Sequence, residues 1–158
     1  MNPPKTKPKW KVNFDDAFDV EFEKFTDAEQ DWLLTAAKAL GIAGPQVGRP
    51  HVDTLNGSKH TNMKELRYKS DDGTQVWRAA FAFDPNQQAI ILCAADKQGV
   101  SSDTFYKTLI AKADKRYDDH LKRMKEGKER AEAKRKAEAK KRAKPGKKSA
   151  GKATKTRR

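Results

Sequence analysis

The chain has 158 residues and a formal net charge of +13, room for one domain of ordinary size and not comfortably for two. Residues 122–158 hold 18 Lys and Arg against 4 Glu, a net +14, whereas residues 1–121 hold 17 basic against 18 acidic residues, a net −1. The basic balance therefore belongs to the tail, and the function of the body has to be argued from placed residues and not from pI. Cys93 is alone, which excludes an intramolecular disulfide and fits a reducing cytoplasm. No CxxC or His-rich spacing is present, so no metal or other cofactor is expected. Met1 to Lys11 lacks the apolar stretch of a secretory signal. The longest apolar run, Ala89 to Ala95, is too short to span a bilayer, so no membrane association is expected.

Residues 1–8 read as a disordered arm. Trp10, Val12 and Phe14 alternate with polar residues, the pattern of a half-buried strand. Phe14, Phe18, Phe22 and Phe25 recur at helical spacing, with Asp15 or Asp16 as cap. A second helix opens on the capping box Thr26 and Glu29, carries the stripe Trp32, Leu33, Ala36, Ala37 and Leu40, and is expected to stop at Gly41. Residues 41–62, rich in Gly, Pro and Asn, read as a connecting loop. Three strands follow, Met63 to Lys69, Val76 to Asp84 and Ala89 to Ala95, joined by the turns Asp71-Asp72-Gly73 and Asp84-Pro85-Asn86 in the manner of an antiparallel meander. A third helix starts near Asp103 with the stripe Phe105, Leu109, Ile110, Ala113, Tyr117 and Leu121. Past Leu121 its large apolar residues all but end, and Lys, Arg, Glu and Ala extend it toward Ala143. Pro145 and Gly146 break it, and Lys147 to Arg158 reads as disordered. The expected fold class is α+β: a small, mostly antiparallel sheet, two N-terminal helices packed on one face, a C-terminal helix, and a basic extension.

The strand Val76 to Asp84 is the informative one. Trp77, Ala79, Phe81 and Phe83 share one face, the natural core against the helices, which puts Arg78 on the other face beside Ala80 and Ala82. Small neighbours predict a shallow open hollow around a fixed guanidinium, able to hold a phosphate through two hydrogen bonds. An arginine paired with a surface carboxylate is the plainer reading. In the preceding strand, either Lys64, Leu66 and Tyr68 or Glu65, Arg67 and Lys69 share the face of Arg78, and spacing leaves the register open. A solvated edge strand with Lys and Glu guarding it is the plainer account there. Asp96-Lys97-Gln98-Gly99 follows the most apolar strand, where site residues tend to sit, and Tyr106 and Lys107 open the last helix. His60 precedes a strand within reach of an RNA site; His51 and His120 read as structural or exposed.

Read together, these segments resemble a known family. Residues Gly48 to Ser58, Asn62 to Arg67, Trp77-Arg78-Ala79-Ala80-Phe81-Ala82-Phe83-Asp84-Pro85, Asp96 to Gly99, Phe105-Tyr106-Lys107 and Ala113 to Leu121 are similar, in order and spacing, to the HigB-like, phage-derived branch of the RelE/ParE toxin superfamily. The resemblance covers roughly residues 9–121, leaving 122–158 as a tail outside the family domain. It implies a RelE-like fold and an antitoxin-controlled, metal-independent endoribonuclease that cuts mRNA on the ribosome by attack of the 2′-OH on the adjacent phosphodiester, with no cofactor. Such a reaction needs a base, cations for the growing phosphate charge, and a proton donor. By resemblance Arg78 stabilises the phosphate, Lys97 or Lys64 acts as base or acid, Tyr106 stacks on or orients the nucleotide, and Arg67, Lys107 and His60 bind flanking RNA. A lysine serves as base only where burial or neighbouring cations depress its pKa, as a cluster of Arg78, Lys64 and Lys97 would do.

The implied partners are a helix-turn-helix antitoxin, the ribosome with its mRNA, and promoter DNA reached through the antitoxin complex. The alternatives are a ParE-like toxin acting on DNA gyrase by protein binding, or a catalytically inactive nucleic-acid-binding phage regulatory module. The tail reads either as a solubilising extension or as an electrostatic anchor on ribosomal RNA.

Overall fold

The computed structural model describes residues 10–143. The arm expected over residues 1–8, the break at Pro145-Gly146 and the disorder expected from Lys147 onward lie outside the described residues. The chain divides into two compact units, with the boundary between Asp119 and His120.

In the first unit the elements run β1 (Lys11–Phe14), α1 (Asp16–Glu23), α2 (Asp27–Ala43), a 3-10 turn (Gly44–Gln46), β2 (Val52–Thr54), β3 (Met63–Lys69), β4 (Val76–Phe83), β5 (Gln88–Asp96) and the start of α3 (Ser102–Ala143). The local reasons are those in the sequence. The Asp15 carboxylate accepts from the amides of Ala17 and Phe18 and caps α1. Thr26 and Glu29 form both halves of the capping box of α2, at 2.9 and 3.1 Å. Asp72 accepts from Ser70 and Thr74 in the β3–β4 turn, where Gly73 has φ +76°. Asp84 accepts from the amides of Asn86 and Gln88 in the next turn.

The five strands are ordered β1-β5-β4-β3-β2. β3, β4 and β5 form the expected antiparallel meander, and β1 adds in parallel to the outer edge of β5. Two expectations are corrected. The loop read over residues 41–62 contains a strand: β2 pairs antiparallel with β3, Val52 opposite Leu66. Three residues are too few to show a periodicity amid Gly and Pro. Nor does Gly41 end α2. It is buried, its carbonyl accepts from the Trp10 amide at 3.1 Å, and the helix runs on to Ala43.

One sheet face packs on α1 and α2 as expected. Leu66, Tyr68, Trp77, Ala79, Phe81 and Ile91 meet Phe18, Leu33, Ala37 and Leu40, with Phe14, Phe22 and Phe25 filling in edge-on and tilted ring contacts. The other face departs from the open hollow expected beside Arg78. Ala80 and Ala82 are fully buried. Phe105, Leu109, Ala113 and Tyr117 of α3 are buried as well. Cys93, opposite Ala80 in the sheet, sets its Sγ 3.6 Å from the Leu109 carbonyl. The alanines are small because a helix crosses them. Arg116 fastens that crossing: it donates to the Leu92 carbonyl at 2.8 Å and to both oxygens of Glu21 at 2.9 and 2.6 Å. Its guanidinium holds the Glu21 carboxyl below the usual carboxylate range.

In the second unit the described residues, His120 to Ala143, are helical, and every residue from Lys128 to Ala143 is exposed. Among the described residues no helix is long and apolar enough to cross a membrane.

Gly44 closes α2 at φ 65° and ψ −154°, a region essentially reserved for glycine. A Cβ there would lie 2.7 Å from Cδ1 of Trp10. We expect Gly44→Ala to lower unfolding stability by roughly 1–3 kcal/mol from backbone strain alone, measured by urea denaturation. A midpoint equal to that of the wild type would refute this account of the junction.

Candidate active site

Because α3 closes only part of the second face, one end of the sheet keeps its polar residues at the surface. The register that spacing left open is settled there. Arg67 lies directly opposite Arg78, and Glu65 opposite Ala80, so Glu65, Arg67 and Arg78 share a face. Like charges facing each other across strands repel. Here one carboxylate joins them. Glu65, only 4% exposed in its side chain, accepts from Arg67 Nε at 2.8 Å and lies 3.5 Å from Arg78 Nε. Arg78, 13% exposed, also donates from Nη1 to the Trp77 carbonyl at 2.9 Å. Arg67 further reaches Asp53 of β2 at 3.3 Å, a carboxylate it shares with Arg49.

The last helix contributes the phenol. Tyr106 donates to Glu65 Oε1 at 3.2 Å. Burial pushes the phenol up, against the opposing pull of Arg78, so it stays protonated. Lys97, whose amide donates to the Val76 carbonyl at 2.7 Å, places its Nζ 5.2 Å from the centroid of the Tyr106 ring, within cation–π range. Arg67 is held charged above its ordinary value, chiefly by its bond to Glu65. The result is two guanidiniums and a phenol around one buried carboxylate, with an ammonium beside the phenol ring. That arrangement can hold a phosphate dianion or a phosphodiester and offers a proton donor beside it.

Of the residues singled out in the sequence, Arg78, Arg67, Lys97 and Tyr106 are brought together. Lys64, Lys107 and His60 are not. Lys64 pairs with Phe81 and therefore points to the opposite face, so the expected cluster of Lys64 with Arg78 and Lys97 does not form. Lys107 is exposed, about 100° round the helix axis from Tyr106. His60 is tied at 2.8 Å to Asp118 and packs edge-on against Tyr117, some eleven residues, roughly 17 Å, along α3 from Tyr106. It works with Ser58 and Lys59, which bind Asp114, to fasten the loop before β3 to α3. Glu65 was the residue that sequence reasoning missed. Its signal was membership of the period-2 set with Arg67, but a lone Glu in a strand rich in Lys looks like an edge guard until register shows two arginines converging on it. Among the described residues no group of His, Cys, Asp or Glu could hold a metal ion.

The sheet order, two helices on one face and a third across the other define a small α+β domain with a cationic site at the sheet end. The sequence profile described as Phage derived protein Gp49-like (DUF891) matches residues 20–118, and the chain belongs to that family. It is 42% identical over 96 residues to "Putative toxin HigB2" of Mycobacterium tuberculosis strain H37Rv, covering 61% of this chain and 47% of that protein. It is 44% identical over 86 residues to "Putative toxin HigB3" of the same strain, covering 54% of this chain and 71% of that one. The chain thus spans about half the length of the first relative. The HigB-like resemblance drawn from the motifs is borne out.

Replacing Glu65 with Gln keeps the shape and removes the charge that the two arginines share. We expect Glu65→Gln to lose about 1–3 kcal/mol of stability, the usual loss when a buried hydrogen-bonded group goes unmatched. Inorganic phosphate should restore part of it at matched ionic strength. An unchanged melting curve with and without phosphate would show that the carboxylate does not organise the site.

Proposed function

We propose that this chain is the toxin of a toxin–antitoxin pair and acts as a metal-independent endoribonuclease on ribosome-bound mRNA. The observation that carries the reading is the direct opposition of Arg67 and Arg78 beside Tyr106 and Lys97. Two guanidiniums forced together next to a proton-bearing ammonium are arranged for an anion whose charge grows during reaction. In the proposed step the ribose 2′-oxygen bonds to the adjacent phosphorus and the bond from phosphorus to the 5′-oxygen breaks. The 2′-hydroxyl proton leaves to solvent water, and the departing 5′-oxygen takes a proton from Lys97. Arg78 stabilises the negative charge that builds on the non-bridging oxygens. Arg67 grips the flanking phosphate, and Tyr106 orients the nucleotide. Glu65 acts through these residues, as the group that positions both guanidiniums and the phenol.

The partner this implies is an antitoxin, of the helix-turn-helix kind by family resemblance, that covers the site and carries the pair to promoter DNA. The reading places the chain in the cytoplasm, with ribosomes. The tail, with 18 Lys and Arg, serves as a sequence-independent anchor on ribosomal RNA.

Induced in cells, the wild type should arrest growth with mapped mRNA cuts, and Arg78→Ala should lose both. Lys97→Ala should slow cleavage by about 10²–10⁴, the usual contribution of a positioned proton donor, with the folded circular dichroism spectrum retained. Arrest with intact mRNA and damaged DNA would replace this reading with the gyrase one. Truncation after Leu121 should leave the fold intact and weaken ribosome co-sedimentation at low salt, where the tail's contribution is greatest, because each neutralised phosphate releases counterions. Equal pelleting with and without the tail would argue against the anchor.

A further inference from the structure

The end of β3 nearest the site is left partly bare. β2 reaches only Leu66, and the last bond along that edge is from the Arg67 amide to the His51 carbonyl at 2.8 Å. Tyr68 and Lys69 lie past it. Here a groove of about 710 Å³ runs from α2 around the bare edge of β3, lined by Trp32, His51, Arg67, Tyr68 and Arg78 among others, so that it meets both the helix-packed face of Tyr68 and the opposite face of Arg67 and Arg78. That size lies within the range of small-molecule sites.

Three buried side-chain polar atoms among the described residues lack a hydrogen-bond partner: Trp32 Nε1, Tyr68 OH and Arg78 Nε, the last only within ion-pair range of Glu65 at 3.5 Å. All three belong to residues lining this one groove. Buried polar groups are nearly always paired, and those that are not call for a specific explanation. Tyr68 is 92% buried, 8% exposed, and burial pushes its phenol up, so it keeps its proton. The three atoms are therefore an indole N–H, a phenol O–H and a guanidinium N–H, all donors. A matching ligand must bring acceptors, and its body must suit walls that include the rings of Trp32, His51 and Tyr68. Arg67 and Arg78, also in its lining, ask for negative charge. A ring bearing carbonyl or imine acceptors and carrying a phosphate meets all three demands. Inorganic phosphate alone would leave the aromatic end empty.

We propose that the groove takes one nucleotide of the RNA, its phosphate on Arg67 and Arg78 and the acceptors of its base on Tyr68 and Trp32. The site then reads the base beside the cut. This rests on the ribonuclease reading and extends it from phosphate chemistry to base preference.

The test uses the full chain and two variants that keep the rings and remove the orphan donors, Tyr68→Phe and Trp32→Phe. Calorimetric titrations with the four nucleoside 5′-monophosphates and with inorganic phosphate are compared. In the wild type, at least one nucleotide should bind ten times more tightly than inorganic phosphate or better. Each variant should shrink that preference by about tenfold, the worth of one good hydrogen bond. Its melting temperature should hold or rise, because an unmatched buried donor has gone. A donor serving only the fold would instead lower the melting temperature and leave the preference alone, which would overturn the assignment. Nucleotides binding no better than inorganic phosphate would overturn it too, as would groove-residue NMR shifts that respond to an antitoxin and not to nucleotides. The same variants are then assayed for mRNA cuts. Cleavage absent in the wild type, with nucleotide binding and its loss in the variants intact, sinks the ribonuclease reading alone. Cleavage intact with no binding difference sinks the groove alone.

Discussion

One buried carboxylate makes the site possible. Arg67 and Arg78 face each other on adjacent strands, an arrangement that repels by itself. Glu65 lies on the same face and bonds or pairs with both. It also receives the Tyr106 hydroxyl from α3. Removing a charge from such a cluster leaves its partners desolvated and unmatched, which is why breaking a buried ionic contact is more damaging than never having made it. With Glu65 and Asp53 set against Arg49, Arg67 and Arg78, the cluster is still short of anionic charge. That deficit is what a phosphate can supply.

The helix that crosses the sheet decides how large the site can be. Ala80 and Ala82 are small enough for α3 to settle on them, and its apolar stripe covers that part of the face. Where the stripe begins, at Phe105, the neighbouring Tyr106 turns to the polar end, so one helix both seals the core and supplies a site residue. The Arg116 contacts with Glu21 and the Leu92 carbonyl join α3 to α1 and β5 at once. A side chain that satisfies a strand carbonyl and a helix carboxylate together fixes the crossing more firmly than apolar contact could. The position of Tyr106 inherits that precision.

Much of this was legible in the sequence where a local rule acts alone. The Thr26 and Glu29 box, the Asp72-Gly73 turn and the alternation through β4 each follow from backbone chemistry within a few residues, and each stands in the structure. What stayed hidden depends on partners distant in sequence. β2 has no pattern of its own and exists because β3 offers it an edge. Gly41 reads as a helix stop, yet Trp10 uses its carbonyl and the helix continues. Ala80 and Ala82 read equally as the floor of a hollow or the seat of a helix, and only the placement of α3 chooses. Register is the same kind of unknown: a slip of one residue would have put Lys64 beside Arg78 in place of Glu65 and Arg67. The site was therefore legible as residue types, with its central carboxylate missing.

The split of charge between body and tail has a physical consequence for recognising RNA. The body is nearly neutral, so its attraction for a polyanion is confined to the few ångströms around Arg67, Arg78 and Lys97. At physiological ionic strength the screening length is about 8 Å, and such a cluster cannot be felt from afar. It selects among phosphates that have already arrived. The tail is the opposite kind of object. Its charges are many, exposed where described and nearly all of one sign, so its attraction is strong, salt-sensitive and indifferent to sequence. Steering of that sort needs no fixed geometry between tail and site. It requires only that the two be covalently joined, so that capture by one raises the local concentration seen by the other. Long-range capture and short-range choice thus reside in separate parts of the chain, and the discriminating contacts can remain few.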